Sequence, residues 1–276
     1  MRELSLFSGV GGGCLGSFIL GHKIVGYVEY ENYCQKILEQ RISDGILSKA
    51  PIFGDIKRFL SEGYAESYTG MVDIITAGFP CQPFSVAGKK KGEADERNMW
   101  PWTARVIRAI RPRYAFLENV PGLLNSGYFE KILGSLAQIG YDAEWVCLGA
   151  DEVGANHRRK RLWILAYARC ESAGGENKPE WASGKSSGCR EEVPNADPER
   201  FPVRGQARGQ AGAERDSEAH ADAERCGGSW WAAEPNVGRV AHGVPKRVDR
   251  LKALGNAQVP IQMAYAFSIL SQGIIK

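Results

Sequence analysis

Cys81 stands between two prolines in Gly78-Phe79-Pro80-Cys81-Gln82-Pro83-Phe84-Ser85, directly after an apolar run over 72–77. Proline fixes its own φ, so a Pro-Cys-Gln-Pro loop is stiff and sets the direction of the thiol. A thiol delivered from the carboxyl end of a strand suits nucleophilic attack. On composition alone, a lone cysteine is more often a buried and inert side chain. A second pattern opens the chain, where Leu4-Ser5-Leu6-Phe7-Ser8-Gly9-Val10-Gly11-Gly12-Gly13 reads as a strand entering a glycine-rich turn and then a helix. Such a turn lets a ligand approach the backbone closely, although glycine-rich turns also occur with no ligand at all. Glu29 follows about 20 residues later at the end of the next apolar run, the spacing at which an acidic side chain holds a ribose hydroxyl pair. Spacing alone reads it equally well as an exposed loop carboxylate. The run His157-Arg158-Arg159-Lys160-Arg161 is a solvated basic stretch or a phosphate-binding patch on its own terms.

These residues need a scaffold that gathers strand ends. Apolar β-rich runs at 3–7, 23–28, 72–77, 114–118, 143–148 and 161–166 alternate with helical patterns at 32–40, 102–111 and 129–138. This βαβα rhythm predicts an α/β fold with a mostly parallel sheet and helices on both faces. In such sheets ligands bind beyond the carboxyl ends of the strands, where the unusual residues fall. From 166 to 250 there is no Leu, Ile or Met, and the near-repeats at 196–200, 211–215 and 221–225 lack the period of a solenoid. That stretch reads as a small, irregular, flexible insert. An apolar helical pattern then resumes with Val259, Ile261, Met263, Ala264, Phe267, Ile269 and Leu270, a return helix that packs back on the large domain. The expected organisation is a domain over 1–167, an insert over 168–243 and a return segment over 244–276.

Composition narrows the function classes. With 276 residues, 43% hydrophobic, 24% charged and a net charge of +3, the chain reads as a globular enzyme-sized unit. No stretch reaches the roughly 18 apolar residues of a spanning helix, and no secretory pattern precedes the fold, so Met1 is expected to start the mature protein. Seven cysteines, an odd number without CxxC or zinc-ligand spacing, point to a reducing compartment and no metal.

Phe7-Ser8-Gly9-Val10-Gly11, Pro80-Cys81-Gln82, Glu118-Asn119-Val120, His157 to Arg161 and Gly255-Asn256 occur in that order. The ordered set resembles the DNA (cytosine-5)-methyltransferase family of bacteria and phages. The resemblance implies a Rossmann-like S-adenosylmethionine-dependent methyltransferase fold in which the insert is the target-recognition element. It also implies that Cys81 adds to carbon 6 of a flipped cytosine and Glu118 protonates or hydrogen-bonds ring nitrogen 3. Arg159 and Arg161 would contact the base, a phosphate and Glu118. Without the resemblance Glu118 reads as an ordinary strand-end charge. His157 stands where the family commonly has Gln.

For S-adenosylmethionine, the resemblance assigns Phe7, Gly9 and Gly11 to the methionine and adenosine pocket, Glu29 to the ribose and Tyr30 to the adenine face. Asp55 would accept from the adenine amino group, with Ile56 and Trp100 on the adenine-side wall and Asn256 closing the pocket. Ile56, Tyr30 and Trp100 read equally as core residues. The implied partner is double-stranded DNA, met by a monomer in the cytoplasm of a bacterial cell or phage-infected host, with no membrane and with a cognate restriction endonuclease as a genetic partner only. Over 169–234 the insert carries nine Lys and Arg against thirteen Asp and Glu, an acidic balance unusual for a DNA reader. Two other readings stay open: a tRNA cytosine-5 methyltransferase, and a catalytically silent DNA- or cofactor-binding regulator.

Overall fold

A computed structural model describes residues 1–80, 98–169 and 247–275. Chain order is β1 (Arg2–Leu6), α1 (Gly12–Ile19), β2 (Lys23–Val28), α2 (Asn32–Ser43), β3 (Ile52–Phe53), α3 (Ile56–Ser61), α4 (Tyr64–Ser67) and β4 (Ile74–Ala77). After 97 come α5 (Trp100–Ile110), β5 (Tyr114–Asn119), α6 (Tyr128–Gln138), β6 (Tyr141–Leu148) and β7 (Arg161–Ala168), and finally α7 (Arg247–Asn256) and α8 (Pro260–Ser271).

Among the described residues, seven strands form one sheet in the order β3-β2-β1-β4-β5-β7-β6. Pairing is parallel from β3 through β5, and β7 runs antiparallel to both β5 and β6. The direction of winding reverses between β1 and β4, which opens a crevice at their carboxyl ends. Strands covered on both faces read as continuous apolar runs, as β4 and the apolar part of β5 do. Alternate side chains enter different cores: Ile75, Ala115, Leu117, Leu162 and Ile164 face one way, and Ile74, Phe116, Trp163 and Leu165 the other.

The first core is closed by α3 to α6. In α5, Thr103, Val106, Ile107 and Ile110 are buried at the spacing of one helical face, and Pro101 sits in the first turn, where its missing N–H costs nothing. The helix stops at Arg111, whose left-handed φ of 54° precedes Pro112. The second core is closed by α8, which buries Met263, Ala266, Phe267 and Leu270. Phe116 stacks on Trp163 at 5.2 Å between ring centres and meets Phe267 edge-on at 5.2 Å. Truncating such a side chain to alanine costs about 3–5 kcal/mol. On the same face Glu3 is wholly buried. It accepts from Ser17 Oγ at 2.8 Å and Thr76 Oγ1 at 2.7 Å and meets His22 Nδ1 at 2.9 Å, which ties α1 to β1 and β4.

Several expectations need adjusting. β1 ends at Leu6, because Phe7 turns into the left-handed region at φ 53°. The two-residue β3 and the short α3 and α4 are too brief to show a periodicity. The return segment is two helices, because Pro260 lacks an N–H and keeps Val259 extended at ψ 116°; Asn256 therefore ends α7. From 170 onward the insert expected at 168–243 lies outside the described residues, as does Cys81. Among the described residues, no helix is long and apolar enough to cross a membrane.

Candidate active site

A cleft lies beyond the carboxyl ends of β1 and β4, lined by the β1 turn, the exit of β4, Glu118 and Asn256 to Gln258. Its floor is the turn after β1. Phe7, Gly9 and Gly11 all have positive φ, at 53°, 55° and 84°, and the turn is closed by Ser8 N–H to Val28 O at 3.2 Å and Gly11 N–H to Ser8 O at 2.9 Å. Gly9 and Gly11 adopt this backbone freely, whereas for Phe7 it costs about 1–2 kcal/mol. Strain of this kind persists where surrounding structure imposes it, commonly at ligand sites.

Glu29, just beyond β2, is 6% exposed, which excludes the exposed loop carboxylate. Its Oε2 accepts from Gly9 N–H at 2.7 Å and its Oε1 from Glu31 N–H at 2.8 Å. Burial raises its carboxyl above the usual range, against the lowering effect of those N–H groups. Tyr30, 72% exposed, and Asp55 line a second cleft with Phe53, Arg58 and Tyr64. Asp55 also caps α3 by accepting from Lys57 N–H at 2.8 Å. Ile56 and Trp100, each 4% exposed, belong to the first core. Trp100 packs against Phe79 and donates its indole N–H to Ser135 Oγ at 2.9 Å.

Glu118 sits at the end of β5 with its side chain 14% exposed, and Arg161 Nε donates to its Oε1 at 2.8 Å. The antiparallel direction of β7 brings these two together, since it places the start of β7 beside the end of β5. On the other side, Gln258 Nε2 faces Glu118 Oε2 at 3.5 Å. Burial pushes the carboxyl above its usual range, opposed by Arg161, Gln258 and Arg159. Asn119 donates to Phe79 O at 3.1 Å and so ties the end of β5 to the chain leading toward Cys81.

Arg159 has a left-handed φ of 27°, and its Nη2 donates to Gly255 O at 2.8 Å and Ala257 O at 2.6 Å, the carbonyls on either side of Asn256. The buried Gln262 supports it by donating to Leu148 O at 2.8 Å and Arg159 O at 3.1 Å. The Arg159 guanidinium thus clasps the segment that carries Asn256. His157 is exposed. Gln258, Gln262 and Asn119 had no sequence-derived role. Only Asn119 stood in a recognised motif, and the two glutamines acquire partners through tertiary contacts alone.

Burial raises the thiols of Cys14, Cys34 and Cys147, to about 12 for Cys14 and about 11 for Cys34, which makes them poor nucleophiles. Among the described residues, no group of three or more His, Cys, Asp or Glu is placed to hold a metal ion.

The model of the C-5 cytosine-specific DNA methylase family matches residues 1–207. The chain is 33% identical over 169 residues to the type II methyltransferase M.CviJI of Paramecium bursaria Chlorella virus IL3A, covering 61% of this chain and 43% of that protein. It is 33% identical over 168 residues to M.NgoMIV of Neisseria gonorrhoeae, covering 59% and 51%. The matched stretch thus spans about half the length of these relatives. A solved structure of a DNMT2 variant from Spodoptera frugiperda superposes with a TM-score of 0.50 at 21% identity, over 65% of this chain and 53% of that one, which shows the shared Rossmann-like methyltransferase fold. With three quarters of its length under the family model, the chain belongs to the C-5 cytosine-specific DNA methylase family.

Proposed function

We propose that the chain transfers a methyl group from S-adenosylmethionine to carbon 5 of cytosine in double-stranded DNA. The observation that carries the reading is the pairing of Glu118 and Arg161 in a cleft whose floor is the Phe7 to Gly11 turn. The residues fit the cofactor. Each oxygen of Glu29 already accepts one backbone N–H and keeps lone-pair capacity for a ribose hydroxyl. A Cβ on Gly9 would meet nothing within 4 Å, so a ligand can lie against the turn. Phe7, Gly9, Gly11 and Asn256 would hold the methionine end and the nucleoside, and Tyr30 and Asp55 the adenine, while Ile56 and Trp100 back the wall from the core. When bound, S-adenosylmethionine supplies an electrophilic methyl group.

Cytosine carbon 5 is a poor nucleophile, so the ring must be activated. In the proposed mechanism the Cys81 thiolate adds to carbon 6, and its electron pair makes carbon 5 enamine-like. Glu118 protonates or hydrogen-bonds ring nitrogen 3, and its raised proton affinity suits that role. Arg161 orients the carboxyl and faces the ring carbonyl, while Arg159 holds the wall beside it. Once carbon 5 carries the methyl group, its proton passes to solvent, the C–H electron pair restores the 5,6 double bond, and the carbon 6–sulfur bond breaks to release Cys81 as thiolate. Because carbon 5 is unreachable in a stacked duplex, the target base must be flipped into the cleft. The insert at 168–243 is the proposed reader of DNA sequence.

The test is base-resolved cytosine methylation of host DNA after expression of the wild-type chain and of Cys81→Ala in a methylation-free cell. Methylation within one short motif, present with the wild type and lost with the variant, is the expected result. Absence of DNA methylation by a folded chain that binds S-adenosylmethionine would overturn the DNA substrate and redirect the search to RNA.

A further inference from the structure

Gln258 occupies a slot that exists because three residues beside it lack side chains. A Cβ on Gly12 would overlap Gln258 O, one on Gly13 would overlap Gln258 Oε1, and one on Gly78 would stand 2.8 Å from Gln258 Nε2 and 3.1 Å from Glu118 Oε2. Gly12 and Gly13 begin α1 and Gly78 leaves β4, so the amide is threaded between two strand exits before it reaches Glu118. The segment behind it is anchored independently, since Arg159 grips the carbonyls of Gly255 and Ala257. The contacts close a ring: Glu118 to Arg161, two residues back along the chain to Arg159, across to Gly255 and Ala257, and from the adjacent Gln258 back to Glu118.

We infer that Gln258 is a positioning residue that holds the Oε2 side of Glu118 while Arg161 holds Oε1, so that docking of the segment carrying Asn256 sets the carboxyl. This rests on the role proposed for Glu118. The consequence is coupling between the two halves of the site: the wall that closes on the cofactor also delivers the amide that fixes the catalytic carboxyl. Among the described residues, the charged groups facing Glu118 are Arg161 from β7 and Arg159 from the loop before it, and the other described residues lining the cleft are uncharged.

The test follows the Glu118 carboxyl by carbon-13 NMR in the full chain, with the signal assigned through Glu118→Gln. Gln258→Met keeps side-chain length and loses the donor, and should raise the Glu118 titration midpoint by about half a pH unit, the lower end of what one hydrogen bond contributes. Gln258→Asn, one methylene short, should do the same with less change in packing. Arg159→Lys keeps the charge but loses the double grip on the carbonyls. It should move the midpoint in the same direction, and adding it to Gln258→Met should produce no further shift. An unchanged midpoint in both Gln258 variants, or fully additive shifts in the double variant, would overturn the coupling. The titration needs no substrate. An inactive wild type would therefore sink the proposed activity without touching this result, and unchanged midpoints in an active protein would sink the coupling alone.

Discussion

Glu29 and Glu118 close the carboxyl ends of two strands in one sheet, and burial raises both carboxyls. They are held by opposite means. Glu29 is fixed by backbone N–H groups from Gly9 and Glu31, donors that belong to the turn and cannot leave without unfolding it. Glu118 is fixed by the side chains of Arg161 and Gln258, which come from β7 and from the segment before α8. A carboxylate locked by backbone donors is a permanent acceptor suited to neutral hydroxyls. One held by a guanidinium and an amide can gain or lose a proton while its partners adjust, as proton transfer requires. Glu29 is therefore held as a fixed acceptor, and Glu118 as a group whose proton affinity its side-chain partners tune.

The largest test of that contrast is Glu118→Gln, which keeps the shape but removes the acidic proton. Cytosine methylation should fall about 10²–10⁴-fold, the usual worth of a general acid or base, with S-adenosylmethionine affinity almost unchanged. Equal loss of both, seen by steady-state kinetics and calorimetry, would erase the division of labour. The converse variant, Glu29→Ala, should weaken S-adenosylmethionine binding roughly 10–100-fold, matching the loss of charge-assisted hydrogen bonds, with kcat at saturation nearly preserved.

Stability against pH sharpens the comparison further. Because burial raises the Glu118 carboxyl above its ordinary value of 4.5, the folded state keeps a proton that the unfolded chain releases. Its contribution to stability is full below that value and is lost as pH rises through the folded midpoint. The Tm of the wild type minus that of Glu118→Gln should therefore decline from acid toward neutral pH in a thermal melt series, and a rising difference would mean that Arg161 outweighs burial. The smallest effect is expected at Trp100, whose indole N–H bonds Ser135 inside the core. Trp100→Phe should cost about 1 kcal/mol in denaturant unfolding and leave S-adenosylmethionine affinity unchanged. A large affinity loss would give that side chain a direct role at the adenine.

Much of this architecture is legible in the order of residues. The parallel sheet follows from apolar runs alternating with helical patterns, and Glu29 was marked by its distance from the glycine turn. β3, α3 and α4 were not legible, because two to six residues carry too little periodicity. Trp100 and Ile56 show a different limit: an aromatic or branched side chain near a motif reads alike as wall or core, and only the packing around Phe79 and Ser135 places Trp100 in the core.

The sequence by itself determined which groups are present, the strand ends on which most of them sit and the flexibility of the glycine turn, since composition, periodicity and φ preference are local properties. Tertiary structure decided which groups meet. Arg161 reaches Glu118 because β7 runs against β5, Arg159 grips the Asn256 segment from about a hundred residues away, and Gln258 enters a slot that Gly12, Gly13 and Gly78 leave empty. Strand direction and the space beside a glycine arise only when distant parts of the chain pack together, so no local pattern could carry them.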